Sequence, residues 1–162
     1  MIEQEYTLEE ISYSRKEDRR IMESVLKRWF IDPKMLNFFS PGFNYPFRFK
    51  KWVSLYYRDE IINISSIILK HNNWIIGHVS IHIDGINGKI FHLFIDANHR
   101  NKGLGTKLMK KIEDYGIKSG ARLIQIHIQK KNMLGYRFFK QSGYIDQQKP
   151  SSNSIRMIKK VD

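Results

Sequence analysis

The stretch Ile90-Phe91-His92-Leu93-Phe94-Ile95 constrains this chain most, since a nearly continuous apolar run of that length is what a central strand covered on both faces requires. Behind it lies Arg100-Asn101-Lys102-Gly103-Leu104-Gly105, with glycines at i and i+2. From about Lys102 to Lys118 the period then changes to 3.6 residues: Leu104, Leu108, Ile112 and Tyr115 share one stripe, and Lys107, Lys110, Lys111 and Asp114 the other. A buried strand turning through glycines into an amphipathic helix commits the chain to packed layers of sheet and helix. Such a turn exposes backbone N–H groups at a helix N-terminus, and glycine removes the Cβ atoms that would hold an anion away, so it suits a phosphate or pyrophosphate. The same glycines also serve a tight turn and close helix packing, and spacing alone leaves both readings open.

The remaining segments fit around this unit. A short strand is expected near Glu10 to Tyr13. A helix follows from about Glu17 to Phe30, with Ile21, Val25, Leu26 and Trp29 on its apolar stripe, acidic residues in its first turn and Lys27 and Arg28 in its last. Asp32-Pro33 reads as N-cap and first position of a short helix through about Phe39, stopped by Ser40-Pro41-Gly42. A third helix is expected from Pro46 to Tyr57. Ile61 to Leu69, Trp74 to Ile83 and Lys89 to Asp96 have strand character, separated by short turns that suit antiparallel hairpins. Leu123 to Gln129 alternates as a strand, Met133 to Gln141 is helical, and Gly143 to Asp146 and Ile155 to Lys159 are short strands. The expected fold is α+β, a central, mostly antiparallel sheet flanked by helices. Without internal repeat or low-complexity linker, residues 1–162 read as a single domain.

The chain has a formal charge of +12 and no cysteine. Disulfides, zinc thiolate sites, iron–sulfur clusters and cysteine nucleophiles are thereby excluded. Residues 1–60 carry 11 Lys/Arg against 10 Asp/Glu, and residues 61–162 carry 17 against 6, so the second part is the anion-seeking one. No nucleic-acid motif accompanies that charge, and Lys abundance can equally be a solvated face. Met1 to Glu10 has four glutamates and no basic residue, unlike a secretory signal or transit peptide. No apolar run approaches the ~20 residues of a membrane span, and a cytoplasmic protein without membrane or nucleic-acid partners is expected.

Two well-known phosphate loops do not fit. A P-loop needs Gly-Lys-Ser/Thr after four spacers, and a dinucleotide fingerprint needs a third glycine where Leu108 stands, with an acid about 20 residues on. The segment resembles instead motif A of the GNAT superfamily of N-acetyltransferases, Arg/Gln-x-x-Gly-x-Gly/Ala after a strand. From Phe91 to Tyr144 the chain is similar to that family: strand, loop, helix, strand, then Asn132, Phe138-Phe139 and Gly143-Tyr144, which resembles the family's Asn-x-x-Ala-x-x-Leu-Tyr-x-x-x-Gly-Phe segment with substitutions. Trp29-Phe30-Ile31-Asp32-Pro33 faintly resembles the branch that acetylates ribosomal protein N-termini.

The resemblance implies a GNAT acyl-CoA N-acyltransferase fold that moves acetyl from acetyl-CoA, as cosubstrate, to a primary amine by direct attack. It implies that Arg100, Asn101, Lys102, Gly103, Leu104, Gly105 and Thr106 cradle the pyrophosphate. Main-chain groups of Leu93, Phe94 and Ile95 would bond the pantetheine arm and the acetyl carbonyl, and Asn132 would contact that arm. Some members carry a glutamate base five residues before the asparagine. Here that position is His127, on the same strand face as Gln125 and Gln129; it can take a proton or serve only as a structural hydrogen-bonding residue. Many members also place a proton-donating tyrosine seven residues after the asparagine, where this chain has Phe139; Tyr136 is the nearest substitute. His78 and His82, four apart on a strand, lie about 13 Å apart and share no metal; no metal site is expected. His92 faces the acetyl site or is a satisfied core histidine, and His99 shapes the loop. The acceptor wall is expected between Phe43 and Tyr57, with Tyr45, Arg48, Trp52 and Tyr56, or these aromatics are core. A different class of function remains open on the same residues: a noncatalytic module that binds CoA or a polyanion.

Overall fold

The structure is a computed structural model that describes residues 5–58, 63–147 and 153–161. Its strands are β1 (Tyr6–Ile11), β2 (Ile64–His71), β3 (Trp74–Asp84), β4 (Asn87–Ile95), β5 (Leu123–Gln129), β6 (Ile145–Asp146) and β7 (Ser154–Lys160). They form one sheet in the order β1-β2-β3-β4-β5-β7-β6. Asn72 and Asn73, both at positive φ, join β2 to β3, and Gly85 at φ 60° with Ile86 joins β3 to β4. Two-residue links of this kind force antiparallel neighbours. The β4–β5 pair is parallel, which needs a crossover; the intervening residues supply it as a helix.

Its α-helices include α1 (Lys16–Trp29), α2 (Pro33–Phe39), α3 (Phe49–Tyr56), α4 (Leu104–Lys118) and α5 (Met133–Gln141), and a 3-10 turn spans Ala97–His99. Each sheet face carries its own core. On one, Met22, Leu26, Leu36, Trp52 and Val53 of α1–α3 pack with Tyr13, Ile68 and Phe94. On the other, Leu104, Leu108, Met109 and Ile112 of α4 and Phe139 of α5 pack with Ile67, Val79, Ile90 and Ile126. In β5, Ile124, Ile126 and Ile128 are buried on the α4 side, leaving Gln125, His127 and Gln129 on the other face.

Asp32 caps α2 by accepting from the Lys34 amide at 2.9 Å, with Pro33 in the first turn, as expected. Other boundaries move. The first strand is longer and earlier than Glu10 to Tyr13; Tyr13 leaves the ladder and is buried among Phe49, Trp52 and Tyr57. Ile21 is 38% exposed and Met22 takes its place on the buried face. The third helix starts at Phe49 rather than Pro46, because Arg48 is extended and Phe47 turns inward against Phe30 and Trp52. The basic helix starts at Leu104 rather than Lys102 because Gly103 is left-handed. The second strand is described from Ile64; Ile61 and Ile62 lie outside the described residues.

Candidate active site

The site originates in an extra residue in β4. His78 pairs with Phe94 and Ser80 with Phe91, so His92 and Leu93 together oppose Val79. His92 takes up the excess at φ 53°. Such a bulge bends its strand and increases its twist. The ladder between β4 and β5 accordingly ends at Ile90↔Ile126, although the strands run on to Ile95 and Gln129. Beyond that pair the two strands fork, and a cleft of about 1050 Å³ opens there. Leu93, Phe94 and Ile95 line one edge, and Ile126 to Gln129 line the other.

The wide end of the fork meets the glycine turn. Asn101 and Gly103 are both left-handed, at φ 64° and 75°. Alternating backbone of this kind turns successive N–H groups inward as an anion-binding nest. The nest runs directly into α4, whose first return bond is Lys107 N–H to the Gly103 carbonyl. The N–H groups of Leu104, Gly105 and Thr106 therefore have no acceptor within the helix. No side chain caps them and no acidic residue occupies the first turn. Gly105 has a second task, since a Cβ there would sit 3.2 Å from the Phe138 ring.

Arg100, Asn101, Gly103, Leu104, Gly105, Thr106, His127, Asn132 and Phe139 line this one cleft together with Leu93, Phe94 and Ile95. Lys102, exposed on the loop, does not line it. Arg100 folds back on the strand: its Nε donates to the Ile95 carbonyl at 2.8 Å and its guanidinium lies 5.4 Å from the Phe94 ring centre. It braces the turn that follows β4. The Asn132 side chain accepts the Gly135 amide at 3.0 Å as cap of α5, so the cap holds it at the cleft wall.

The two histidines near the fork differ in kind. His92 is 6% exposed and bonded at both ring nitrogens, to Ser40 Oγ at 2.9 Å and to the Tyr57 hydroxyl at 2.8 Å. That hydroxyl also meets Ser80, which meets Ser66, while Trp52 donates to Ser40. His78, fully buried, donates from Nδ1 to the His92 carbonyl at 2.7 Å, so its Nε2 accepts from the Tyr13 hydroxyl at 2.9 Å. Burial pushes the pKa of His78 down to about 4, and that of His92 falls well below its ordinary value, chiefly from burial and then from His78 and Lys89. This network pins the bulge with neutral rings: His92 is the satisfied core histidine, at the margin of the cleft. His127 stands on the open face of β5, and none of the hydrogen bonds among the described residues engages its ring. Partial burial, then Lys89 and Arg156, hold its pKa below the usual histidine value. It is therefore a neutral imidazole with a lone pair available at neutral pH.

Of the four side chains named for the acceptor wall, only Tyr56 lines the cleft, joined by Leu55 of the same span. Trp52 is fully buried, Arg48 is outside the lining, and Tyr45 is exposed and donates to the Ile31 carbonyl at 3.2 Å. Phe38 and Leu134, outside the expected span, contribute further wall. Tyr136 donates to Asp146 at 2.8 Å and lies outside the lining, so its hydroxyl does not replace the one Phe139 lacks. Lys89 and His82 also line the cleft. Sequence reasoning missed both, since the only local signal was a polar residue at an alternating strand position.

A profile of the acetyltransferase (GNAT) family matches residues 24–144. An uncharacterised N-acetyltransferase of Methanocaldococcus jannaschii is 26% identical over 133 residues, covering 74% of this chain and 57% of that protein's length. Among solved structures, the GNAT domain of a Streptomyces lividans protein titled PAT superposes with a TM-score of 0.79 at 12% identity, covering 95% of this chain and 89% of that one. A spermidine N-acetyltransferase from Vibrio cholerae, solved with CoA and spermine, gives 0.75 at 14% identity, covering 96% and 95%.

Proposed function

The chain belongs to the GNAT acetyltransferase family, and from that premise we propose that it transfers acetyl from acetyl-CoA to a primary amine by direct attack, its described residues acting as one catalytic domain. The observation that carries the reading is the continuity of the cleft: an open helix N-terminus with a backbone nest at one end, a forked strand edge along its length, and a neutral histidine beside the fork. The residues suit a long ligand with a phosphorylated end and an amide-bearing arm. The nest from Asn101 to Gly103 and the free N–H groups of Leu104 to Thr106 hold the pyrophosphate. Main-chain donors and acceptors of Leu93 to Ile95, released from β5 by the fork, bond the arm as a strand partner would.

Acetyl-CoA supplies an activated thioester when bound. His127 accepts the proton that the attacking amine must lose, directly or through one water. A main-chain N–H beyond the bulge meets the charge that develops on the acetyl oxygen. Phe139 offers no proton to the leaving thiolate. With a thiol pKa near 8.5 by analogy with cysteine, that leaving group departs without a dedicated acid, at a reduced rate. The test is thiol release from acetyl-CoA across a panel of amines, with mass detection of the acetylated product. Amine-dependent release abolished by Gly105→Glu supports the proposal. CoA binding without release for any amine overturns it in favour of the noncatalytic module.

A further inference from the structure

We propose that the closed end of the fork is an anion-binding subsite for the acceptor, so that the amine acetylated carries its own carboxylate or phosphate group; this rests on the acetyl-transfer reading above. Strand register builds the subsite. Lys89 of β4 pairs with His82 of β3 on one side and with Gln125 of β5 on the other. Two residues further along the same face, His127 pairs with Arg156 of β7. Partners in register have Cβ atoms about 5 Å apart and the next row lies ~7 Å on, so four basic side chains share one sheet face, with His127 next to Arg156 and between it and Lys89. His82, Lys89 and His127 line the cleft itself.

Asp84 shares the face of His82 and Lys89 one row toward the β3–β4 turn, and no ion pair among the described residues compensates the charge of this patch. Among the described residues neither Lys89 nor Arg156 takes part in an ion pair, and Arg156 Nε is buried with no hydrogen-bond partner. A buried donor without an acceptor is unfavourable, and a guanidinium on β7 and an ammonium on β4, both acting on His127 between them, are groups that recognise carboxylate or phosphate. No aspartate or glutamate among the described residues lines the cleft, so a polyamine meets no opposite charge from them. The phosphates of acetyl-CoA do not account for the patch. Lys89 stands six residues back along β4 from Ile95 at the cradle, roughly 15–20 Å at ~3.3 Å per residue. Tyr56, Leu55 and Phe91 supply an apolar wall for the body of the acceptor.

The experiment compares ω-amino carboxylates of three to six carbons with their methyl esters, the matching diamines and the matching aminoalkylphosphonates. Acetyl-CoA-dependent thiol release is measured alongside calorimetric binding to the CoA-loaded protein. The expected result is that at least one carboxylate or phosphonate exceeds its ester and diamine tenfold or more in kcat/KM. Arg156→Gln and Lys89→Gln should each reduce that preference to about threefold or less while CoA affinity holds, and Lys118→Gln should leave it intact as a control for net charge. A phosphonate preferred over its carboxylate assigns the group as phosphate, and the reverse assigns a carboxylate. Equal use of acids and esters, a preference for diamines, or acid binding indifferent to both variants overturns the subsite. Should no amine turn over, tight binding of the acids that both variants weaken still upholds the subsite and refutes acetyl transfer alone; absence of such binding overturns the subsite.

Discussion

Lowering the pH from 7 to 5 should destabilise this protein through the two histidines buried beneath the bulge. His78 has a pKa near 4 in the fold against about 6.5 in an unfolded chain. Above 6.5 both states hold it neutral and its bonds to Tyr13 and the His92 carbonyl contribute fully. Below 6.5 the unfolded chain takes up a proton that the folded ring refuses, so stability falls until the pH drops below about 4. Linkage puts the loss at about 1 kcal/mol by pH 6, about 2 by pH 5 and roughly 3 in full. His92, depressed for the same reason, adds in the same direction. For a chain of this size the His78 part alone lowers the melting temperature by roughly 4–8 °C at pH 5. Urea unfolding followed by tryptophan fluorescence at pH 7, 6 and 5 measures the effect. His78→Asn keeps a donor and an acceptor but does not titrate, so it should start less stable and lose about 2 kcal/mol less over the same interval. Stability that is flat or rises between pH 7 and 5, or an unchanged slope in the variant, would refute the assignment of a neutral, bonded His78.

His127→Ala should lower kcat by about 10² or more while CoA affinity is nearly kept. The wild-type pH–rate profile should lose activity on its acid side below pH 6.5, because burial and the two neighbouring cations depress the base; an undiminished rate with an identical profile removes it from that role. Gly105→Glu should abolish CoA binding by placing bulk and negative charge in the cradle and against Phe138, and calorimetry showing wild-type affinity in the folded variant contradicts the site. Phe139→Tyr should raise the rate of thiol release, whereas Tyr136→Phe should change it less than about threefold, since that hydroxyl is bonded to Asp146 away from the cleft; a large loss in Tyr136→Phe would make it the missing donor.

The elements legible in the sequence were those whose signal is local. The apolar run of β4, the glycine turn, the stripe of α4 and the Asp32-Pro33 start of α2 each lie within one stretch of backbone, where periodicity and capping act directly. His127 was legible for the same reason: alternation with Ile124, Ile126 and Ile128 sets its face without help from elsewhere. Tyr13 was not, because whether that residue stays in a ladder or turns into the core depends on Trp52, Tyr57 and His78, which are far away in sequence.

The sequence by itself therefore determined which segments are strands and helices, to within a few residues at their ends, and that a two-glycine turn opens α4. Tertiary structure alone decided that β4 bulges at His92, that the bulge forks it from β5, and that Lys89, His127 and Arg156 gather at the base of that fork. The physical reason is that a bulge and a cross-strand cluster are properties of pairing register. Register is set by the combined packing of side chains from both cores and by the buried bonds of His78, His92, Tyr57 and Ser80, and no one of these residues carries that information along its own stretch of chain.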